Sequence, residues 1–356
     1  MFPPARHHTL MTRLRTVKPG SKGWTRRRAG SGFSYLDHDG ERLPRDEVDR
    51  IKALAIPPAW EDVWICPVAN GHIQAVGTDD AGRRQYLYHP DWRERADVQK
   101  FDRILAASER LPRARRRVTR DLRREGMPLE RACATAVRML DLGYFRIGND
   151  VYTDTHGSFG LTTLERSHVR SVADGLRFTF LGKGGIEQDL TISDPDVTAA
   201  LQAMRARRDG TTRLLAWRDD DGWRVLDSAD VNDYLAQVFE HDLTAKDFRT
   251  WHATVHAAVS LAASTEPGDT QASRRRAVRA AVEEVSDHLG NTPTIAKNSY
   301  IDPRVLDAYE EGETITVPGA SRATAGPDGT GSTGSGPRRR QSTVERAVRE
   351  LLAEQE

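Results

Sequence analysis

The residues best suited to chemistry lie in the segment HLGNTPTIAKNSYI, residues 288–301. Thr292 and Pro293 are typical of a helix cap and first turn, and the helix that they predict carries Tyr300. A tyrosine is a weak nucleophile in water because its pKa is about 10. It becomes useful where cations stabilise the negative charge that builds on a phosphate during attack. The chain should therefore supply such cations.

Three cationic side chains have suitable local contexts. Arg146, in GYFRIGND, follows a predicted helix; Lys183, in LGKGG, lies at the tip of a predicted β-hairpin; Arg249, in KDFRTW, lies at a predicted helix start. Each one alone is typical of a solvated surface. Together they favour a phosphate site, because guanidinium groups bind phosphate oxygens in a bidentate manner.

The elements that must position these residues form an α+β pattern. Residues 31–95 contain short strands between Gly and Asp turns. Helices with apolar stripes follow, such as LERACATAVRMLDLG, which Gly143 stops. GLTTL, HVRSVA, LRFTFLG and IEQDLTI predict a small antiparallel sheet, and helices resume after Asp194. We therefore predict a small β-rich N-terminal domain and a larger, mainly helical catalytic domain with a small antiparallel sheet.

Composition divides the chain into five predicted parts. They are a disordered basic arm (1–28), a β-rich domain (29–95), a catalytic domain (96–315), a disordered Gly/Ser-rich linker (316–341) and a C-terminal tail helix (342–356). The arm contains no Asp or Glu, which suits a transit peptide and a DNA-touching arm equally well.

The overall composition excludes several classes of protein. With 38% hydrophobic and 29% charged residues, the chain has no apolar run near the roughly 20 residues of a membrane span, so no membrane partner is expected. Cys66 and Cys133 are predicted to be buried and unpaired, which fits a reducing compartment. No Cys/His cluster has metal-ligand spacing, so no metal is expected.

Basic residues are concentrated locally although the net charge is only +1. Such clusters can build a positive groove while acidic residues elsewhere cancel the total. They are Arg26–Arg28, Arg110–Arg124, Arg274–Arg276 and Arg338–Arg340.

The strand GRRQYLYH alternates basic and aromatic residues and is predicted to face DNA. Gln and Arg side chains can bind base edges, and Tyr can pack on sugars or donate to phosphates. The residues concerned are Arg83, Arg84, Gln85, Tyr86 and Tyr88. Tyr152, six residues after Arg146, is a further predicted DNA contact.

In this order, the motifs resemble those of type IB DNA topoisomerases of the compact, poxvirus-like kind, which include bacterial members. The resemblance covers residues 30–315 and is carried by GTDDAGRRQYLYH, LGYFRIGNDVY, GLTTLERSHV, FTFLGKG, KDFRTW and HLGNTPTIAKNSYID. It implies an isomerase that relaxes supercoiled double-stranded DNA without ATP, nucleotide, metal or other cofactor. It further implies a monomer located in the cytoplasm at the nucleoid.

The resemblance also implies a role for each matched residue. Tyr300 would attack phosphorus, forming a 3′-phosphotyrosyl bond and freeing a 5′-hydroxyl. Arg146 and Arg249 would hold the non-bridging oxygens, and Lys183 would be the general acid that protonates the leaving 5′-oxygen. Lys246 would add a phosphate contact.

Asn291 departs from the family pattern, which often has His at this position. An Asn can still donate a neutral hydrogen bond to a phosphate oxygen. It cannot supply a positive charge or a proton there. We therefore expect Asn291 to be a catalytic-site residue without a role in proton transfer.

Two alternatives have different sequence signatures. A tyrosine recombinase uses the same chemistry, and LGN followed eight residues later by Tyr resembles its LGH pattern. Recombinases favour His where this chain has Lys246, and a β-rich N-terminal domain differs from their helical arm-binding domain. The other alternative is a DNA-binding relative without catalysis, in which Asn291 marks the loss of activity.

Overall fold

A computed structural model describes residues 13–143, 145–148, 157–240, 243–264, 270–317 and 337–355. The chain separates into two units, Met1–Lys100 and Phe101–Glu356. The first is β-rich and the second is mainly helical with small sheets, which confirms the predicted α+β fold class. None of the helices in the described part of the chain combines the length and apolar character that crossing a bilayer requires.

The N-terminal unit is built on a five-stranded antiparallel sheet, in the order β2-β1-β3-β4-β5. Its elements are β1 (Trp24–Ala29), β2 (Gly32–Leu36), α1 (Arg45–Ala53), β3 (Glu61–Ile65), β4 (Ile73–Thr78) and β5 (Arg84–Tyr88). Successive side chains of a strand point to opposite faces. Accordingly, Ile65 and Ala75 pack in one buried cluster, whereas Trp64 and Val76 pack in another.

Part of the predicted disordered arm is ordered. Residues 24–28 belong to β1, which pairs with β2 and β3, so the prediction of disorder is wrong for them. Arg26 donates to the carbonyl oxygens of Pro57 and Trp60 and lies over the ring of Phe33. The basic composition of residues 24–28 does not predict a strand, because β1 forms by pairing with residues elsewhere in the chain. Residues 1–12 of the arm lie outside the described residues.

The second unit consists of helices around one large apolar core, with two small sheets. Helix α2 (Pro90–Ser108) contains the boundary between the units. The helices that follow it are α3 (Leu111–Leu122), α4 (Leu129–Gly143), α5 (Pro195–Ala206), α6 (Ser228–Phe239), α7 (Ala245–Ala263), α8 (Gln271–Leu289), α9 (Pro293–Ser299), α10 (Pro303–Glu311) and α11 (Pro337–Ala353). The strands are β6 (Val169–Val172), β7 (Gly175–Leu181) and β8 (Glu187–Ile192) in one sheet, and β9 (Ala216–Asp219) and β10 (Gly222–Val225) in the other.

Most of the predicted elements of this unit are present. Helix α4 ends at Gly143, and Gly290 follows α8 with a φ of +59°, the left-handed conformation that glycine favours after a helix. The strand predicted for GLTTL is wrong, because Leu161–Thr163 form a short 3-10 turn. The backbone N–H groups of Leu161 and Thr162 donate to Arg146 and Ile147 instead of to a neighbouring strand.

Most arginines of the cluster Arg110–Arg124 are exposed, but acidic residues offset part of its positive charge. Several of its members pair with carboxylates: Arg113 with Glu240, Arg115 with Asp141 and Glu345, Arg123 with Asp196, and Arg124 with Glu130. Glu345 belongs to the tail helix α11, which begins at Pro337, earlier than predicted. This helix is anchored by its buried Val348 and Leu352 as well as by that ion pair.

Candidate active site

Arg146 is fixed by a short extended segment that follows α4. Its carbonyl accepts from the Leu161 N–H at 2.7 Å, and the Ile147 carbonyl accepts from the Thr162 N–H at 2.8 Å. Gly148 and Gly160 allow this close approach, because a Cβ on Gly160 would lie 2.5 Å from the Gly148 Cα. These two hydrogen bonds hold the backbone of Arg146 and Ile147 against residues 161 and 162, and the half-buried side chain of Arg146 extends towards the end of α8.

Arg249 lies in the first turns of α7 and is only 4% exposed. The start of this helix is fixed by Asp247, whose carboxylate accepts from the Thr244 N–H at 2.8 Å. Arg103 of α2 donates to both oxygens of Asp247 at 2.9 Å. The start of the helix that carries Arg249 is thus supported by a partly buried ion pair with α2.

The carboxyl end of α8 brings the two arginines together. Arg249 Nη2 donates to the Leu289 carbonyl at 2.8 Å, and Arg146 Nη2 donates to the Gly290 carbonyl at 3.2 Å. Carbonyl groups at a helix end lack partners within the helix and carry partial negative charge. They can therefore orient two guanidinium groups without neutralising either one.

Tyr300 directly follows α9 and is half-buried beside Arg249. The Arg249 Cζ lies 5.6 Å from the centre of the Tyr300 ring. As the sequence predicted, α9 begins after Thr292, whose side chain accepts from the Ile295 N–H, and Pro293 is its first residue. The helix has seven residues, about two turns, so Tyr300 lies close in sequence to the cap at Thr292.

Asn291 contacts Arg146 and has an unused donor. Its Oδ1 accepts from Arg146 Nη2 at 2.6 Å. Its Nδ2 is buried and has no hydrogen-bond partner among the described residues. Because a buried donor without a partner is unfavourable, the amide is well suited to bind an acceptor brought by a substrate.

The surroundings of the two arginines lower their pKa values. Burial lowers the pKa of Arg146, while Tyr300 acts in the opposite direction. Burial, together with the positive charge of Arg146, lowers the pKa of Arg249 to about 10. With a pKa of about 10, Arg249 remains protonated near neutral pH. The depressed pKa values of both arginines mean that a nearby anion would stabilise the site.

Lys183 is exposed at the tip of the β7–β8 hairpin. The hairpin closes through the Gly182 N–H, which donates to the Ile186 carbonyl at 2.8 Å. Gly184 and Gly185 both have positive φ, +79° and +73°, which favours glycine at these positions. Lys183 and Arg146 line one pocket of about 220 Å³. Lys183 therefore lies beside Arg146, one of the two arginines at the end of α8.

Lys246 and Tyr152 are the two other residues that the sequence predicts to contact DNA. Lys246 is exposed in the first turn of α7, three residues before Arg249. Tyr152 lies outside the described residues.

The predicted DNA-facing strand is β5, at the edge of the N-terminal sheet. Its exposed side chains are Arg84, Tyr86 and Tyr88, and the two tyrosine rings stack with centres 6.1 Å apart. Arg83 and Gln85 instead donate to the Asp79 carboxylate, both at 2.9 Å. Of the five predicted contacts, Arg84, Tyr86 and Tyr88 are thus exposed on β5, whereas Arg83 and Gln85 bind Asp79 in the turn before this strand.

The described residues bring one group of potential metal ligands together, Asp37, His38 and Asp39 in the exposed turn after β2. Asp37 accepts from the backbone N–H groups of Asp39 and Glu41, both at 2.9 Å, which are contacts that stabilise a turn. The turn belongs to the N-terminal unit, whereas Tyr300 belongs to the second.

Sequence reasoning assigned no role to Thr254 of α7. Its buried hydroxyl oxygen lies 3.3 Å from the Tyr300 carbonyl and accepts from the Asp302 N–H at 3.0 Å. The only signal in the sequence is that Thr254 follows Arg249 by five residues on the same predicted helix. Such a spacing does not identify a contact with a segment 46 residues away.

The fold and the cationic cluster beside Tyr300 fit the class of DNA-acting enzymes that the motifs indicated, the type IB topoisomerases. Residues 89–315 match the family model described as the catalytic core of eukaryotic DNA topoisomerase I. Residues 32–79 match the N-terminal domain of bacterial DNA topoisomerase IB. The chain therefore belongs to the type IB DNA topoisomerases.

Individual relatives support the same family. The chain is 26% identical to DNA topoisomerase 1B of Acanthamoeba polyphaga mimivirus over 295 residues, which cover 81% of this chain and 88% of the viral protein. It is 20% identical to DNA topoisomerase 1B of Vaccinia virus (strain Western Reserve), covering 68% and 74%. It is 27% identical to DNA topoisomerase 1 beta of Arabidopsis thaliana, covering 49% of this chain but 18% of the plant protein.

Proposed function

We propose that this topoisomerase relaxes supercoiled duplex DNA through a 3′-phosphotyrosyl intermediate on Tyr300. The observation that carries the proposal is the charge environment of this tyrosine. Two arginines of depressed pKa converge on the end of α8 beside it, and their acceptors there include the neutral Leu289 and Gly290 carbonyls. A phosphodiester bound at this position would supply the negative charge that stabilises both.

The proposed reaction exchanges one phosphodiester for another. The Tyr300 oxygen attacks phosphorus and its proton passes to water, while the bond from phosphorus to the 5′-oxygen breaks. Arg146 and Arg249 bind the non-bridging oxygens, and Asn291 Nδ2 donates a neutral hydrogen bond to one of them. Religation reverses these steps with the 5′-hydroxyl as nucleophile. Because the bond energy is retained in the phosphotyrosine, resealing needs no ATP, and the guanidinium groups supply the charge stabilisation without a metal.

Lys183 is proposed as the general acid for the leaving 5′-oxygen. It is exposed on a glycine-containing hairpin tip and shares a pocket with Arg146. Lys183→Ala should slow cleavage at a normal 5′-oxygen far more than at a 5′-bridging sulfur, which leaves without protonation. Equal slowing on both substrates would contradict the general-acid role.

Duplex DNA is the proposed partner of the N-terminal unit through Arg84, Tyr86 and Tyr88 on β5. Arg84→Ala should weaken duplex binding and lower the slope of log affinity against log salt by about 1. Arg45→Ala, which removes an exposed arginine from the first turn of α1, is the matched control. An unchanged slope for Arg84→Ala would exclude Arg84 from the binding surface.

We further propose that the enzyme acts as a monomer on the nucleoid in the cytoplasm, with Lys246 as an additional phosphate contact.

A plasmid-relaxation assay tests the proposed function. The wild-type protein should relax a plain supercoiled plasmid in the presence of EDTA and without ATP. Tyr300→Phe should abolish relaxation while duplex binding is retained, because only the nucleophilic oxygen is removed. Relaxation by the Phe variant, or none by the wild type, would contradict the proposal. Loss of wild-type activity with EDTA would indicate a metal-dependent nuclease instead.

A further inference from the structure

The hydroxyl group of Thr254 links the segment that follows Tyr300 to α7, the helix that carries Arg249. Thr254 is 2% exposed, and its Oγ1 accepts from the Asp302 N–H at 3.0 Å. The same oxygen lies 2.9 Å from the Thr250 carbonyl and 3.3 Å from the Tyr300 carbonyl. A hydroxyl has one proton and two lone pairs, so its proton is shared between these carbonyls while one lone pair accepts from Asp302.

The rest of this segment is also held. Ile301 is fully buried, and its N–H donates to the Ala296 carbonyl at 3.1 Å. The Asp302 carboxylate accepts from the Arg304 N–H at 3.0 Å and so caps α10. These contacts fix the segment to α9 and α10. Within this set, the Thr254 hydroxyl is the contact that connects it with α7.

We propose that Thr254 is a positioning residue, whose hydroxyl sets the distance between the Tyr300 phenol and the Arg249 guanidinium. Because a tyrosine side chain has few rotatable bonds, the position of its backbone largely determines where the phenol oxygen can reach. A displacement of about 1 Å in a reacting group can reduce a rate by about 100-fold. Thr254 touches no reacting atom, so its effect is exerted through the Tyr300 backbone. The proposal rests on the proposed cleavage by Tyr300.

A graded series at position 254 separates the hydroxyl from its packing. Thr254→Ser retains the hydroxyl, Thr254→Cys offers a weaker donor and acceptor, and Thr254→Val nearly retains the shape without hydrogen bonding. The control is Thr135→Val in α4, which removes another fully buried hydroxyl, one that donates to the Arg131 carbonyl of its own helix at 2.8 Å.

The single-turnover rate of covalent-complex formation on a suicide duplex should decrease in the order Thr254→Ser, Thr254→Cys, Thr254→Val. Thr254→Val is expected to be roughly 10- to 100-fold slower than the wild type, with duplex affinity unchanged. Religation, started by adding a 5′-hydroxyl strand to the preformed complex, should slow by the same factor because Tyr300 is then the leaving group. Thr135→Val should cleave at the wild-type rate, although we expect both Val variants to have a lower melting temperature than the wild type.

Any one of the following results would overturn the positioning role. They are a Thr254→Val rate equal to that of Thr135→Val, a Ser variant as slow as Val, or slowing of cleavage without slowing of religation. If Thr254→Val does not fold, equal rates for Ser and Cys at matched stability would overturn it too. Absence of a covalent complex with the wild type would refute the proposed function itself, whereas the results above require an active wild type.

Discussion

Two regions of the helical unit contain partly or fully buried arginines whose pKa values are shifted in opposite directions. Arg115 of α3 donates to Asp141 and Glu345 at 2.7–2.8 Å; although burial acts in the opposite direction, these carboxylates raise its pKa. At the candidate active site, burial and the charge of Arg146 lower the pKa of Arg249 to about 10. The first arrangement is complete within the chain. The second is stabilised when an anion arrives, which is what a phosphate site requires.

The largest expected effect concerns stability in the first region. Arg115→Ala leaves two buried carboxylates without their shared partner, so the free energy of unfolding should fall by about 3–5 kcal/mol. Urea unfolding measures this, and Arg116→Ala, at an exposed neighbouring position on α3, is the control. The fraction that stays folded should still cleave DNA. A stable Arg115→Ala protein that fails to cleave DNA would contradict the purely structural role of Arg115.

The next effect concerns catalysis in the second region. Arg249→Ala should slow single-turnover cleavage by about 10²–10³-fold, the usual effect of removing one donor to a developing anion. Its free energy of unfolding should change less than that of Arg115→Ala, because repulsion with Arg146 is relieved. Arg274→Ala is the matched control, since Arg274 also donates to a helix-end carbonyl, that of Glu310, at 2.8 Å. Cleavage by Arg249→Ala within tenfold of the control would contradict the assigned role.

A smaller effect is expected at Asn291. Asn291→Leu removes the acceptor for Arg146 and the buried Nδ2 donor, and cleavage should slow by about tenfold, as expected for the loss of a hydrogen bond to a charged group. Asn291→His should remain active and gain a dependence on pH between about 6 and 7, where histidine titrates. The test is the cleavage rate of each variant from acidic to neutral pH. A wild-type rate for the Leu variant would exclude Asn291 from the site.

The smallest expected effect is the acid dependence of stability. Burial would raise the pKa of Asp141, but Arg115 and His252 lower it below its usual value. The stability that this carboxylate contributes is present above the unfolded-state pKa of about 4 and is lost as the pH falls below it. Asp141→Asn should therefore show a shallower decline in unfolding free energy below about pH 4, by at most about 1.4 kcal/mol per pH unit. Parallel curves for the two proteins would contradict the pKa direction.

Local signals were sufficient to predict much of the helical unit. Gly143, Gly290 and the pair Thr292–Pro293 mark element boundaries because backbone conformation and capping at these positions depend on neighbouring residues. The predictions failed where distant partners decide. Residues 24–28 are a strand because β2 and β3 pair with them, and Leu161–Thr163 form a turn in which the Leu161 and Thr162 N–H groups donate to the Arg146 and Ile147 carbonyls.

The site shows the same limit. Tyr300, Arg146, Lys183 and Arg249 were selected by the order of family motifs, since no local rule distinguishes Arg249 from Arg115. What distinguishes them is charge balance, which depends on residues as distant as Glu345 in the tail helix. Thr254 was not predictable either, because its contacts with Tyr300 and Asp302 exist only after α7, α9 and α10 have packed.

The central claim is that Tyr300 becomes covalently joined to DNA, and a trapping experiment tests it most directly. The protein is incubated with a suicide duplex whose 5′-hydroxyl fragment is lost after cleavage, and the modified peptide is identified by mass spectrometry. We predict that the nucleotide is attached through its 3′-phosphate to the peptide containing Tyr300, and that Tyr300→Phe forms no adduct. An adduct on another residue, or one that persists in the Phe variant, would contradict the account.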